Sequence, residues 1–265
     1  MKTPGRILAQ QVRDIGESGA FSIRSNALPT WCPGCGYFGI HQGLNQCIQA
    51  LGIPHHEIIV VSGIGCAGRY PFFSDTYGLH TVHGRTLPVA TGVKLANPEL
   101  TVFAIGGDGD GLAIGGGHLP HMARRDIDVN YLLFDNSIYG LTKGQPSPSS
   151  QIGMKTKASP EGTRDKPLNA TLLALTYGAS FVARLFAGDS KAITSALIEG
   201  VKNPGFSFFH IYTSCVTFDK SFKTWANLKK WVHPLPVDHD PNDLRQAFNL
   251  VLEDDFSIGV VYKRG

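Results

Sequence analysis

The chain has 265 residues and nearly balanced charge, with 24 Lys+Arg against 21 Asp+Glu and a net charge of +3. So small a surplus gives no polybasic surface for nucleic acid or an anionic membrane, and the length suits one large domain or two small ones. Charged residues make up only 17% and glycines number 31, which points to surface covered by a partner and to backbone brought close to a ligand, often a phosphate.

In chain order, residues 1–30 are polar and irregular and read as an arm laid on the surface or on a partner. Their first twenty residues lack the apolar core of a leader, and no apolar run approaches a membrane span, so a cytoplasmic protein is expected. WCPGCGYFG (31–39) is a turn-rich loop; Ile40, Leu44, Cys47, Ile48 and Leu51 then recur at helical spacing. EIIVVSGIGCAGR (57–69) reads as a buried strand ending in a glycine turn, 70–86 as a loop, and 86–100 as a helix. Residues 101–125 read as strand, glycine loop and helix, and 129–142 as strand and turn. A loop over 143–167 precedes helix LNATLLALTYG, strand ASFVARLF, helix SKAITSALIEGVKNPG and strand FSFFHIYTSC, which ends at Cys215. The tail from 216 is mixed, with a short helix near 241–252. Strand–helix alternation from 39 to 215 predicts an α/β fold, a mostly parallel sheet with helices on both faces. The expected organisation is an arm (1–30), a main domain (31–225) and a C-terminal extension (226–265) packed on that domain or on a partner.

Ligands of such sheets sit at the carboxyl ends of the strands, and the notable residues fall there. GGDGDG (106–111) follows one strand-like run, and Asn136 follows the next, 28 residues after Asp108. A carboxylate and an amide oxygen at neighbouring strand ends suit a hard cation such as Mg²⁺, and the glycines suit close approach to a diphosphate. A helix cap and a plain turn are the structural alternative. Of the five cysteines, Cys32 and Cys35 form a close pair, while Cys66 and Cys215 stand singly on other loops. Four thiolates can enclose an iron–sulfur cluster or a zinc ion, and spacing does not choose between them. Cys47 lies on the apolar face of a helix and suits a buried thiol. GIGCAG (63–68) matches a dinucleotide-binding pattern, but no helix pattern follows it. Its backbone, Ile64, Gly65, Cys66 and Ala67, better serves close approach to some other cofactor.

WCPGCG, GIGCAGR, HGR (83–85), GGDGDG, DNSIYGLTKGQPSP (135–148) and the run SCVTF occur in this order. In that combination, over about residues 25–225, the chain resembles the thiamine diphosphate-binding beta subunit of 2-oxoacid:ferredoxin oxidoreductases. The resemblance implies a thiamine diphosphate-binding fold, with Mg²⁺ held by Asp108, Asn136 and the carbonyl of Ile138. Gly109, Asp110, Gly140 and Leu141 would flank the diphosphate and His83 would lie near the cofactor. Cys32, Cys35, Cys66 and Cys215 would ligate a [4Fe–4S] cluster. Arg85 offers positive charge beside His83. Lys143 resembles members acting on 2-oxoglutarate or several 2-oxoacids, where pyruvate-specific members tend to carry glycine.

The activity implied is oxidative decarboxylation of a 2-oxoacid with CoA to acyl-CoA and CO₂, 2-oxoglutarate favoured, with electrons leaving through the cluster to ferredoxin. An alpha subunit would complete an αβ or (αβ)₂ enzyme and supply the glutamate that activates the cofactor. Neither nucleic acid nor membrane is an expected partner. A pyruvate-specific enzyme, an electron-transfer module without catalysis and a zinc-stapled binding protein are the alternative readings. The last two leave the Asp108–Asn136 pair or the glycine loops without a purpose.

Overall fold

The computed structural model describes residues 23–265, so most of the expected N-terminal arm lies outside the described residues. The strands are β1 (Ile58–Ser62), β2 (Tyr77–His80), β3 (Thr101–Gly107), β4 (Asn130–Asp135), β5 (Ile138–Tyr139), β6 (Gln145–Pro146), β7 (Phe181–Phe186), β8 (Ser207–Tyr212), β9 (His233–Pro234) and β10 (Ser257–Lys263). The α-helices are α1 (Tyr37–Leu51), α2 (Thr86–Ala96), α3 (Asp108–Leu112), α4 (Leu119–Arg125), α5 (Ala170–Thr176), α6 (Ser190–Lys202), α7 (Trp225–Trp231) and α8 (Leu244–Glu253). Eight strands form one sheet in the order β2-β1-β3-β4-β8-β7-β10-β9, while β5 and β6 form a separate small ribbon. From β2 to β7 every pairing is parallel; β10 joins β7 antiparallel.

The central strands are buried on both faces, so they read as continuous apolar runs rather than alternating ones. Ile58 and Val60, with Phe103, Ile105, Leu132 and Phe134, pack under α1 and α6. Ile59 and Val61, with Val102, Ala104, Tyr131 and Leu133, pack under α2, α4, α5 and α8. Two cores therefore sandwich the sheet, one per face. Helix starts are set locally: Asn169, Asp189, Thr224 and Asp243 each cap a helix with a side-chain oxygen.

Three elements differ from the sequence reading. Residues 67–73 form a 3₁₀ helix and 77–80 an edge strand, where a loop was expected. The helix after the Gly-Asp-Gly run is broken into α3 and α4, because consecutive glycines over 115–117 do not sustain it. From residue 225 on, besides the expected helix near 241–252, the chain adds helix α7 and two strands, β10 and β9, that extend the main sheet. Among the described residues no helix is long and apolar enough to cross a membrane.

Candidate active site

The carboxyl ends of β3, β4 and β8 lie side by side, and the chain reverses its order across the sheet between β4 and β8. Such a switch point opens a crevice between loops. Asp108, directly after β3, is 2% exposed and lines a cavity of about 360 Å³. Its Oδ2 accepts from the hydroxyls of Ser147 and of Ser149, the latter at 2.9 Å, while Oδ1 takes no hydrogen bond among the described residues. Asn136, directly after β4, lines the same cavity. Its Oδ1 accepts from Ile138 N–H at 3.1 Å, and its Nδ2 donates to the Tyr37 hydroxyl at 3.2 Å.

Burial, reinforced by Asp135, pushes the Asp108 carboxyl up to about 7 in spite of its two serine donors. Ser149 Oγ also lies 2.8 Å from Asp135 Oδ1. One hydroxyl proton cannot serve two ionised carboxylates. A proton on Asp108 would supply the missing donor, whereas a cation at its Oδ1 would ease the repulsion between the two carboxylates. Asp135 is settled separately. Burial raises it, but Lys223 Nζ at 2.8 Å and His210 Nε2 at 2.8 Å outweigh burial and hold it well below the usual carboxylate range.

Asp110 is a fastening point. Its Oδ1 accepts from Ile64 N–H at 2.9 Å and Gly84 N–H at 2.8 Å, and it meets His83 Nδ1 at 2.8 Å. A Cβ at Gly63 would lie 2.0 Å from Asp110 Oδ2, so only glycine fits there. A Cβ at Gly68 would lie 1.9 Å from the Gly63 carbonyl oxygen. The dinucleotide-like spacing thus serves a tight 3₁₀ turn. Asp110 lies at the cavity wall, but its hydrogen bonds fasten the loops around Ile64 and His83. With Asp110 as acceptor, His83 Nδ1 carries the proton and Nε2 is left as the free nitrogen. His83, Ile64, Gly65, Cys66, Ala67, Gly109, Ile138, Gly140 and Leu141 all line the cavity.

An adjoining cavity of about 180 Å³ is lined by Cys32, Cys35, Cys66 and Cys215 together. The two cavities share Tyr37, Cys66, Asn136, Gly140 and Leu141. A Cβ at Gly140 would lie 3.5 Å from Cys66 Sγ, 3.6 Å from Cys215 Sγ and 4.0 Å from Asn136 Nδ2. Burial, with coulombic contributions from Cys66, Cys215 and Cys32, pushes the Cys35 thiol up to about 12. Thiols so placed become thiolates when a metal centre binds them. Among the described residues no three His, Cys, Asp or Glu groups close on a single-ion position; the four thiols line a volume instead. Cys47 is fully buried in the core, away from that volume.

Two anticipated residues stand outside both cavities. Lys143 is exposed and holds a left-handed φ of +78°, and Arg85 sits at the start of α2 with Nη1 unpartnered among the described residues. Residues not anticipated include Tyr37, Gln145 and Tyr139 on the cavity wall and the Ser147/Ser149 pair on Asp108. The run SPSS directly after the Asn136 loop is the signal that could have found the serines.

Residues 52–211 match the family model described as the thiamine pyrophosphate enzyme, C-terminal TPP binding domain. Residues 215–265 match the model of the C-terminal part of the pyruvate ferredoxin oxidoreductase beta chain. The fold and crevice therefore define a thiamine diphosphate enzyme domain. The chain is 39% identical over 247 residues to the 2-oxoacid:ferredoxin oxidoreductase subunit beta of Sulfolobus sp., covering 88% of this chain and 81% of that one. It is 45% identical over 193 residues to the 2-oxoglutarate oxidoreductase subunit KorB of Mycobacterium tuberculosis, covering 72% of this chain but only 52% of that one. A solved structure of 2-oxoglutarate:ferredoxin oxidoreductase from Magnetococcus marinus, with 2-oxoglutarate, coenzyme A and succinyl-CoA bound, superposes with a TM-score of 0.90. That likeness comes at 42% identity and covers 94% of this chain and 87% of that one. The chain belongs to the family of 2-oxoacid:ferredoxin oxidoreductase beta subunits.

Proposed function

We propose that this chain carries thiamine diphosphate through Mg²⁺ at Asp108, Asn136 and the Ile138 carbonyl, and a [4Fe–4S] cluster on Cys32, Cys35, Cys66 and Cys215. With an alpha subunit it converts 2-oxoglutarate, CoA and two oxidised ferredoxins to succinyl-CoA, CO₂, two reduced ferredoxins and a proton. The observation that carries this reading is the shared wall at Gly140, where Asn136 and the sulfurs of Cys66 and Cys215 meet across a residue with no side chain. The free Oδ1 of buried Asp108 suits a divalent ion, and a cavity lined by four thiols suits a cluster.

When bound, thiamine diphosphate supplies the nucleophilic carbon and electron sink for loss of CO₂, and the cluster supplies one-electron storage. The chain's own residues position these groups. Ser147 and Ser149 fix the Asp108 carboxylate from one side and leave the other oxygen free. Asp110 aims His83 so that Nε2 is the free donor or acceptor. Tyr139, whose hydroxyl donates to Gly109 O at 2.9 Å, braces the glycine loop beneath the diphosphate site. Lys143, exposed one residue beyond the cavity-lining Thr142, pairs with a second substrate carboxylate in this reading once the alpha subunit is seated over the site. Use of CoA and ferredoxin fits a cytoplasmic location.

The names of the mycobacterial relative and of the Magnetococcus marinus structure support 2-oxoglutarate as substrate. The test is co-expression with the alpha subunit and an anaerobic assay of CoA-dependent viologen reduction. 2-Oxoglutarate should give the highest kcat/KM. A preference for pyruvate would replace the substrate assignment, and no CoA-dependent reduction with any 2-oxoacid would overturn the reading.

A further inference from the structure

Asp135 Oδ2 has two buried partners that come from different parts of the chain. His210 stands on β8, inside the sheet, with Nε2 at 2.8 Å. Lys223, also with Nζ at 2.8 Å, ends a loop that starts at Cys215. That loop is closed by one carboxylate. Asp219 N–H donates to Cys215 O at 3.1 Å. Asp219 Oδ1 accepts from Ser221 N–H at 3.0 Å and Phe222 N–H at 2.8 Å, and Oδ2 accepts from Lys223 N–H. Asn227, on α7, donates to Ser221 O at 3.1 Å and Phe222 O at 2.8 Å. The place of Lys223 is therefore set from Cys215 through a turn with little slack.

Asp135 passes this placement on. Its Oδ1 accepts from Ser137 N–H at 2.9 Å and lies 2.8 Å from Ser149 Oγ. Ser137, the neighbour of Asn136, holds a left-handed φ of +56°, which an L residue keeps only where bonds such as this one fix it. Ser149 Oγ lies 2.9 Å from Asp108 Oδ2. One carboxylate thus aligns the turn that carries Asn136 and the hydroxyl that bears on Asp108. The other acid near Lys223 is Asp255, which shares with Asp135, His210 and Lys223 the wall of a cavity of about 80 Å³. Asp255 is exposed, so it competes weakly for the ammonium.

We propose that Lys223 is a positioning residue that couples the two cofactor sites of the proposed function, on which this inference rests. A centre bound at Cys215 fixes the start of the loop, the loop fixes Lys223, and Lys223 holds Asp135 where Asn136 and Asp108 are aligned for Mg²⁺. Each bound group removes part of the ordering cost of the other's site, and by linkage each raises the other's affinity by the same factor.

The experiment uses the complex with its alpha subunit, in cluster-free and reconstituted forms, titrated calorimetrically with thiamine diphosphate in saturating Mg²⁺. In wild type the reconstituted form should bind at least about fivefold more tightly, the lower end of ordinary coupling between sites. Lys223→Met/Asp135→Asn cuts the strut but keeps an acceptor oxygen for Ser137 and Ser149; its two forms should bind within twofold of each other. His210→Gln changes the other partner of Asp135; it should weaken binding in both forms and keep the wild-type ratio. Saturating thiamine diphosphate and Mg²⁺ should slow loss of iron to an iron-specific chelator in wild type and not in the double variant. Equal affinities in the two wild-type forms would overturn the proposal. So would a ratio kept in the double variant, which would give the coupling to the shared wall at Gly140, or a ratio lost equally in His210→Gln. A wild-type complex that binds neither iron nor thiamine diphosphate would instead strike the functional reading.

Discussion

His83 Nδ1 stands 2.8 Å from Asp110 Oδ1, and the same oxygen accepts from the backbone of Ile64 and Gly84. One carboxylate thus fixes both the cavity wall after β1 and the tautomer of the histidine. Asp110→Asn should weaken thiamine diphosphate binding at least tenfold and lower stability by about 1.5–3 kcal/mol, the range for charge-assisted bonds to buried groups. Cofactor affinity by fluorescence titration and stability by denaturant unfolding check both. An unchanged affinity would remove Asp110 from the site.

Gly140→Ala separates fold from cluster loading. The added Cβ would meet its neighbours at ordinary contact distance, 3.5 Å or more, so the chain should fold with near-normal stability. The methyl group would point toward the sulfurs of Cys66 and Cys215, and bound iron should fall by at least half. Iron and sulfide analysis of anaerobically reconstituted protein measures this; full loading would show that the wall tolerates a side chain.

Lys143 holds φ +78°, a conformation that costs an L residue about 1–2 kcal/mol over glycine. Lys143→Gly should therefore raise stability by about 0.5–1 kcal/mol, part of the relief being offset by glycine's greater freedom when unfolded. If the lysine pairs with a substrate carboxylate, kcat/KM for 2-oxoglutarate should drop more than that for pyruvate. Equal losses, with the stability gain retained, would leave it without a recognition role.

His41 is 6% exposed, packs against Trp31 and Tyr70, and is held near 4 by burial and by Arg24. The unfolded chain binds a proton at this residue below about 6.5 and the folded chain does not. Stability is therefore lost as pH falls from about 6.5 toward 4, by up to about 1.4 kcal/mol per pH unit. His41→Phe should unfold with nearly wild-type free energy at pH 7.5 and exceed wild type at pH 5. Parallel curves for the two proteins across this range would show that His41 does not carry the acid limb.

Lys223, 4% exposed, neutralises Asp135 in the wall behind Asp108. Lys223→Met leaves a buried carboxylate with one fewer partner and should cost about 3–5 kcal/mol. Adding Asp135→Asn should restore most of that loss. A single variant as stable as wild type would show that His210 and the serines suffice.

The parallel strands were legible because each is a short apolar run buried on both faces; Asp108, Asn136, Cys66 and Cys215 were legible because they follow such runs, and Cys32 and Cys35 because they stand as a close pair. Tyr77–His80 was not, since an edge strand exposed along its length carries no burial pattern. Trp225–Trp231 was hidden by its brevity, and Ser257–Lys263 by its place after the motifs. The network behind the site was also invisible. Asp135 meets Lys223 and His210, and Asp108 meets Ser147 and Ser149, through contacts between segments far apart in sequence. Ionisable residues at such spacing resemble ordinary surface until the fold brings them inside.

Strand β2 has practical meaning for anyone handling this polypeptide. Among the described residues β2 pairs only with β1, and its other border runs beside the exposed side chains of Tyr77 and Leu79, with Phe72 and Val82 close by in sequence. An uncovered border of this kind templates strand addition between copies. Produced alone at high concentration, the protein should accumulate as insoluble or polydisperse material, and simultaneous synthesis of whatever shields that border should raise the yield of monodisperse product.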